Sequence, residues 1–318
     1  MLKMSHQMVQ TNGIELSVYH AGPADGRPIW LLHGFPECWY SWRNQVAPLT
    51  EAGYQVFVPE MRGYGKSSAP LAVEAYDVLT LGADILGAMD TLGQKDAAIV
   101  GHDWGAMVSW YIALQAPDRV RTLATMSVPF AGRPKRPAIE IMRELAAGKF
   151  NYIVYFQEPG VAEAELDADI SRTLKLLMYY RGKSLLQQDK PADSRLFDES
   201  LQVGDLPAWC NAGDLDVYEQ TFRANGFRGP LNWYRNFERN WHITEHLKDQ
   251  KIQVPTLFLI GKQDPVKWME KYTMEKMPQW VPNLEQHVLE PCGHWIQNEC
   301  SAQVNTYLLD FLARNDKA

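Results

Sequence analysis

The amino-acid sequence predicts an α/β fold: a doubly wound, mostly parallel sheet with a helical module inserted into it. Short, near-continuous apolar runs recur at Ile29 to Leu32, Val56 to Pro59, Ala97 to Val100, Leu123 to Val128 and Thr256 to Ile260. Strands buried on both faces require such runs. Helical patterns separate most of them, and that alternation is the mark of a doubly wound sheet. Between Ser127 and about Leu247 the strand rhythm stops, and helix-like, aromatic-rich sequence takes its place.

Alternating residues around Thr11-Asn12-Gly13 predict a β-hairpin, because Asn-Gly supplies the positive φ angles of a tight two-residue turn. Asp77 to Leu92 places Leu79, Leu81, Ile85, Leu86, Met89 and Leu92 on one broad face, with Asp84 and Asp90 outside it. The insert opens with Gly132-Arg133-Pro134-Lys135-Arg136-Pro137 and contains the helix-like runs Ser171 to Tyr180 and Leu231 to Trp241. Ser301 is expected to cap a final helix through Leu312, with Val304, Leu308, Phe311 and Leu312 facing inward. The chain therefore divides into a first core segment, 1–133, a helical cap, 134–246, and a second core segment, 247–318.

With 318 residues, 46% of them hydrophobic, the chain can bury a substantial core. Its net charge of −7 comes from 38 acidic and 31 basic residues with no block of like charge, which argues against a nucleic-acid partner. Cys38, Cys210, Cys292 and Cys300 form neither a Cys-x-x-Cys pair nor a dense framework, and they read as reduced thiols. The opening Met1-Leu2-Lys3-Met4-Ser5-His6-Gln7 lacks the apolar core of about 7–15 residues that a secretory signal needs. No apolar stretch approaches the ~18 residues of a membrane span. A soluble, cytoplasmic protein without membrane association is expected; its oligomeric state is left open, a homodimer included.

The chemistry centres on Val100-Gly101-His102-Asp103-Trp104-Gly105-Ala106, which follows an apolar run and opens the helix-like Met107 to Gln115. Small residues two before and two after a central residue permit the strained turn of a nucleophile elbow. Here the centre is Asp103 rather than serine. A carboxylate is a poor nucleophile toward esters and amides, because it departs more readily than the group it would displace. It is competent at an sp³ carbon bearing a strained or good leaving group, where it forms an alkyl ester. A lone Asp before an apolar run more often caps a helix; the flanking glycines and the partners below favour the nucleophile.

Asp264, in Gly261-Lys262-Gln263-Asp264-Pro265, follows Leu257-Phe258-Leu259-Ile260, and His294 stands in Pro291-Cys292-Gly293-His294-Trp295 before the last helix. Nucleophile, acid, histidine is the chain order of α/β-hydrolases. His33-Gly34-Phe35-Pro36 follows Trp30-Leu31-Leu32, so the backbone N–H groups of Phe35 and Trp104 are expected to form an oxyanion hole. Pro36 is expected to follow a cis peptide bond.

With these residues in view, the sequence resembles the soluble epoxide hydrolase family through essentially its whole length. The likeness includes His33-Gly34-Phe35-Pro36-Glu37 with Trp39-Tyr40-Ser41-Trp42-Arg43, Arg62-Gly63-Tyr64-Gly65 with Ser67, the Asp103 elbow and Gly293-His294-Trp295. It extends to Asn151-Tyr152-Ile153-Val154-Tyr155-Phe156-Gln157-Glu158-Pro159-Gly160 and to Asn232-Trp233-Tyr234-Arg235-Asn236-Phe237-Glu238-Arg239-Asn240-Trp241. The resemblance maps the two cap tyrosines of the family onto Tyr152 and Tyr234, with Tyr155 an alternative to the first. If the second segment is helical, Tyr234, Phe237 and Trp241 share a face. Ile153 stands where many relatives carry Gln, a change in pocket polarity. The phosphatase domain of mammalian members has no counterpart in this sequence, and phosphatase activity is not expected.

The implied reaction converts an epoxide and water to a vicinal diol. Tyr152 and Tyr234 hold the epoxide oxygen, Asp103 attacks carbon, and His294, oriented by Asp264, activates water against the ester. The expected pocket comprises Phe35, Pro36, Trp104, Phe237, Trp241 and Trp295, and neither metal nor organic cofactor is called for. Haloalkane dehalogenase is the nearest rival because it shares the Asp elbow, although Phe35 occupies its expected Asn position. A remote alternative is a zinc peptidase, from the H-x-x-E-H pattern of His242, Glu245 and His246.

Overall fold

The computed structural model of the chain describes residues 4–179, 190–197 and 201–317. Its strands are β1 (Ser5–Thr11), β2 (Ile14–Ala21), β3 (Arg27–Leu32), β4 (Tyr54–Glu60), β5 (Ala97–His102), β6 (Val120–Met126), β7 (Thr256–Gly261) and β8 (Leu284–Leu289). They form one sheet in the order β1-β2-β4-β3-β5-β6-β7-β8. β1 and β2 pair antiparallel, as do β2 and β4, and every later pairing is parallel. The hairpin turns at Asn12 and Gly13, with φ of 42° and 75°, the left-handed pair expected from Asn-Gly.

Each central strand is covered on both sides. Helices α1 (Arg43–Glu51), α2 (Val78–Thr91) and α3 (Trp104–Gln115) alternate with the first strands. Between β6 and β7 the helices are α4 (Ala138–Ala146), α5 (Tyr152–Tyr155), α6 (Val161–Leu166), α7 (Ile170–Tyr179), α8 (Ala212–Asn225), α9 (Arg228–Arg235) and α10 (Phe237–Ile243). The chain closes with α11 (Pro265–Met269), α12 (Lys271–Trp280), α13 (Ile296–Glu299) and α14 (Ser301–Asn315). The helical run expected at Ser171 to Tyr180 is formed as far as Tyr179; Tyr180 lies outside the described residues, as do Met1, Leu2 and Lys3. No described helix is long and apolar enough to cross a membrane.

One face of the sheet packs on α2 and α3 through Leu81, Ile85, Val108 and Ile112, and this core continues into the helices between β6 and β7 through Phe222, Phe227 and Trp233. The other face packs on α1 and α14 through Val46, Leu49, Val304, Leu308 and Phe311. β8, at the edge, exposes part of its length. Trp233 is fully buried and its Nε1 donates to the Arg62 carbonyl at 3.2 Å, fixing α9 over the C-terminal end of β4.

Two local expectations are corrected. Asp84 does not lie outside the apolar face of α2. It is 1% exposed and accepts Arg62 Nε at 2.7 Å, Arg62 Nη2 at 2.6 Å and Asn12 Nδ2 at 2.9 Å. A bidentate guanidinium satisfies the charge that burial would otherwise penalise. Ser301 is the first residue of α14 rather than its cap; Cys300 precedes the helix and makes no side-chain capping bond.

Candidate active site

The polypeptide turns sharply after β5. Asp103 has φ 53° and ψ −119°, a conformation that L side chains rarely adopt, and α3 begins at the next residue. The flanking glycines have a steric cause. A Cβ at Gly101 would lie 2.3 Å from the Gly105 carbonyl oxygen, and one at Gly105 would lie 2.1 Å from the Leu32 carbonyl oxygen. Backbone strain at Asp103 is thus held by close packing on both sides, and its carboxylate is pushed past the C-terminal ends of β3 and β5, where α/β sheets place their ligands.

His294 and Asp264 reach the same place from β8 and β7. His294 Nδ1 lies 3.0 Å from both carboxylate oxygens of Asp264, and its Nε2 lies 3.6 Å from Asp103 Oδ2. The latter is an ion-pair contact, too long for a hydrogen bond. Asp264 is fully buried and also caps α11 by accepting the Val266 N–H at 2.9 Å. Burial alone would lower the basicity of His294, but the Asp264 and Asp103 carboxylates reverse this and raise its pKa well above the ordinary imidazole value. Burial would raise the pKa of Asp264; the His294 ring overcomes it and holds the carboxyl below its usual range.

The Phe35 N–H donates to Asp103 Oδ1 at 2.8 Å. Gly34 keeps that approach open, since a Cβ there would sit 2.4 Å from Asp103 Oδ1 and 2.7 Å from the Trp104 nitrogen. The Phe35–Pro36 peptide is cis, as expected. Asp103, His294, Tyr152, Tyr234, Phe35 and Pro36 all border one cavity of about 780 Å³, which Trp295 also lines. The rings of Tyr152 and Tyr234 lie 6.1 Å apart, centroid to centroid. Burial, then the Asp103 charge, pushes both phenols well above their ordinary pKa, so both keep their protons. Tyr155 is separated from Tyr152 by its partner: its hydroxyl donates to Glu165 at 2.6 Å, and it is not among the residues lining the cavity. Ile153 is buried in the core.

The expected aromatic wall is realised only in part. Trp104 packs on Tyr234 at 5.0 Å and Phe237 packs on Trp104 at 5.2 Å, one layer behind the cavity. Trp241 is a correction. The helix breaks at Asn236 between α9 and α10, and Trp241 turns instead to Arg133, whose guanidinium lies 3.7 Å from its ring, while its Nε1 donates to the Pro134 carbonyl. The H-x-x-E-H pattern is also split. His242 lies in the last turn of α10, whereas Glu245 and His246 lie in the following 3₁₀ turn, and no group of three His, Cys, Asp or Glu among the described residues gathers as metal ligands.

Behind the triad lies a buried polar layer that motif reading missed. Glu37 Oε2 accepts the Gly34 N–H at 2.9 Å and meets His102 Nδ1 at 2.7 Å, while Oε1 accepts Gln297 Nε2 at 2.7 Å. His102 Nε2 donates to the His294 carbonyl at 2.8 Å, and Ser127 Oγ donates to the same oxygen at 3.0 Å. Both nitrogens of His102 thus face acceptors. Burial would raise the Glu37 pKa, but the His102 charge and the bonds to His102 and Gly34 bring it down to about 2, against an ordinary 4.5. Because the folded value lies below the unfolded one, the stabilisation is present above about pH 4.5 and is lost as pH falls toward 2. Glu37→Gln leaves the buried imidazole without its anion, a loss of about 3 kcal/mol. Thermal melts at pH 7 should fall by on the order of 5 °C, and stability should depend less on pH below 4.5 than in the parent. Equal melting temperatures would refute the assignment.

Residues 27–299 match the family described as alpha/beta hydrolase fold. Epoxide hydrolase A of Mycobacterium tuberculosis is 40% identical over 314 residues, with 97% of each chain covered. The bifunctional epoxide hydrolase 2 of Sus scrofa is 37% identical over 95% of this chain, which spans only 54% of that relative. Among solved structures, epoxide hydrolase A from Mycobacterium thermoresistibile has a TM-score of 0.92 and 42% identity over 98% of both chains. An epoxide hydrolase from an endophytic Streptomyces has a TM-score of 0.91 and 35% identity, with 98% of this chain and 95% of that one covered. An eight-stranded sheet of this order, an aspartate elbow and sequence identity sustained along nearly the whole chain place this protein in the epoxide hydrolase family of the α/β-hydrolase fold.

Proposed function

We propose that this chain hydrolyses epoxides to vicinal diols through a covalent ester on Asp103. The observation that carries the reading is the carboxylate at the elbow: Asp103 shares a cavity with two protonated phenols and faces a histidine already paired with a second carboxylate. In the first step an Asp103 oxygen forms a C–O bond to one epoxide carbon as the ring C–O bond breaks. Tyr152 and Tyr234 donate hydrogen bonds to the departing oxygen, which becomes a hydroxyl by taking a proton from one of them. In the second step His294 takes a proton from water, and the hydroxide adds to the Asp103 carbonyl carbon. The Phe35 and Trp104 N–H groups hold the oxyanion. As it collapses the ester C–O bond breaks, the departing alkoxide takes the proton from His294, and the carboxyl proton returns to the phenolate. The diol leaves with the Asp103 carboxylate and both phenols restored.

The electrostatics suit this order. In the free protein, Asp103 is one of the charges that raise the His294 pKa. Forming the ester neutralises Asp103, so the imidazole releases its proton more readily at the moment a base is needed. Phe156, Leu176, Leu177, Met178 and Trp209 line the cavity beyond the reacting groups and suit apolar substituents. All four cysteines are unbridged, which suits a reducing, cytoplasmic setting.

Many turnovers in ¹⁸O-labelled water test the proposal, because the attacking water leaves its oxygen on the carboxylate while the diol takes one from Asp103. Mass spectrometry of the peptide containing Asp103 should show heavy oxygen accumulating with turnover. Diol formation with no label in that peptide would exclude the ester.

A further inference from the structure

Glu299 ends the short helix α13, and its side chain turns back over the start of that helix. Oε2 accepts the Gly293 N–H at 2.8 Å and Oε1 accepts the Trp295 N–H at 2.9 Å. One carboxylate therefore holds the backbone N–H groups immediately before and after that of His294. The His294 carbonyl is held from elsewhere in the fold, by His102 at the end of β5 and by Ser127 just past β6. A Cβ at Gly293 would lie 2.8 and 2.9 Å from the Glu299 carboxylate oxygens, so glycine is what lets the carboxylate close on the loop.

Trp295 joins the same loop to the helices above it, since its Nε1 donates to the Met178 carbonyl at 2.8 Å. His294 thus stands on a backbone fixed on both sides, while its ring must point Nε2 at the Asp103 carboxyl group. The ring gains and loses a proton in each turnover. A charge-assisted pair of N–H bonds resists the accompanying shift better than neutral bonds do.

We propose that Glu299 is a positioning residue for His294 that acts on the hydrolytic half-reaction and not on ester formation. The proposal rests on the reading above, in which His294 activates water in the second step. A carboxylate bonded to the N–H groups at a helix start also describes an ordinary cap, which stabilises the fold and is kinetically silent once the protein has folded. The two roles predict different kinetics. When ester hydrolysis slows and its formation does not, kcat and KM fall by the same factor and kcat/KM is unchanged. When some of the protein is merely misfolded, apparent kcat falls and KM stays put.

Glu299→Gln keeps the size of the side chain but turns an amide NH₂ toward one of the two N–H groups, so one hold is lost. The expected result is a fall on the order of tenfold in both kcat and KM, in line with the sensitivity of catalysis to small misplacements. Rapid quench should show ester forming at the parent rate and decaying on the order of tenfold more slowly. That first-order decay does not depend on how much of the sample is folded. Glu299→Asp keeps the charge on a shorter arm, and its decay rate should fall between parent and Gln variant. An unchanged decay rate in Glu299→Gln, or a lowered kcat with constant KM, would make Glu299 a helix cap and overturn the proposal. His294→Gln is run alongside: if that variant stores no ester either, the failure lies in the proposed function and the role of Glu299 falls with it.

Discussion

His294→Gln should arrest the enzyme as a stable ester. In the proposed mechanism ester formation uses the Asp103 carboxylate and the two phenols, none of which the substitution removes. Hydrolysis needs a base within reach of the ester carbonyl, and glutamine supplies none. Loss of a positioned general base costs on the order of 10²–10⁴ in rate, which at the upper end is about 5.5 kcal/mol of barrier. Intact-protein mass spectrometry after brief exposure to an apolar epoxide should show one adduct equal in mass to the whole epoxide, because ring opening expels nothing. A haloalkane would instead add its mass minus hydrogen halide, so the same spectrum separates the two chemistries that an aspartate elbow permits. Adding Asp103→Asn should abolish the adduct. An adduct that survives that second substitution would move the nucleophile elsewhere.

The pH dependence of the two half-reactions should also diverge. In the proposed mechanism hydrolysis needs a neutral His294, so ester decay should slow as pH falls through the imidazole's range in the ester. That range lies below the strongly raised one of the free protein, because the Asp103 charge is absent. Ester formation has no base to lose and should not share that limb.

The elbow, the meeting of Asp103, Asp264 and His294, and the hairpin could be read from sequence because each rests on local sterics or chain order. Gly101 and Gly105 are required by contacts of under 2.5 Å that any Cβ would make, and Asn12-Gly13 by two positive φ angles. What escaped depends on partners that only the folded chain brings into place. Asp84 looks like a solvated helix position until Arg62 arrives from the loop after β4. Trp241 falls on the face of Tyr234 only if the helical period runs on through Asn236. There the Asn236 side chain donates to the Val73 and Asn232 carbonyls, and α9 gives way to α10. Glu37, Ser127 and Glu299 carry no spacing signal. Their roles come from backbone groups that the folded loops present to them.

Removing both phenols should nearly eliminate ester formation. As the ring opens, negative charge gathers on the former epoxide oxygen inside a cavity walled largely by apolar side chains, where an unpaired alkoxide is costly. Tyr152 and Tyr234 are pre-aimed by their neighbours: Tyr152 packs edge-on against Phe156 at 5.6 Å, and Tyr234 against Phe35 at 5.4 Å and Trp104 at 5.0 Å. Tyr→Phe keeps those ring contacts and deletes only the O–H. Either single variant retains one donor and should lose about 10–10² in the rate of ester formation, whereas the double variant loses the whole hydrogen-bond site and should lose on the order of 10⁴ or more. Ester formation measured in single-turnover experiments isolates the effect from hydrolysis, and decay of ester already formed should be nearly unchanged. Because burial and the Asp103 charge raise both phenol pKa values above the ordinary 10, the donors stay protonated in alkaline solution. The parent enzyme should then show no loss of ester formation from phenol ionisation up to about pH 10. A double variant that forms ester within tenfold of the parent rate would place the proton donor on some other group.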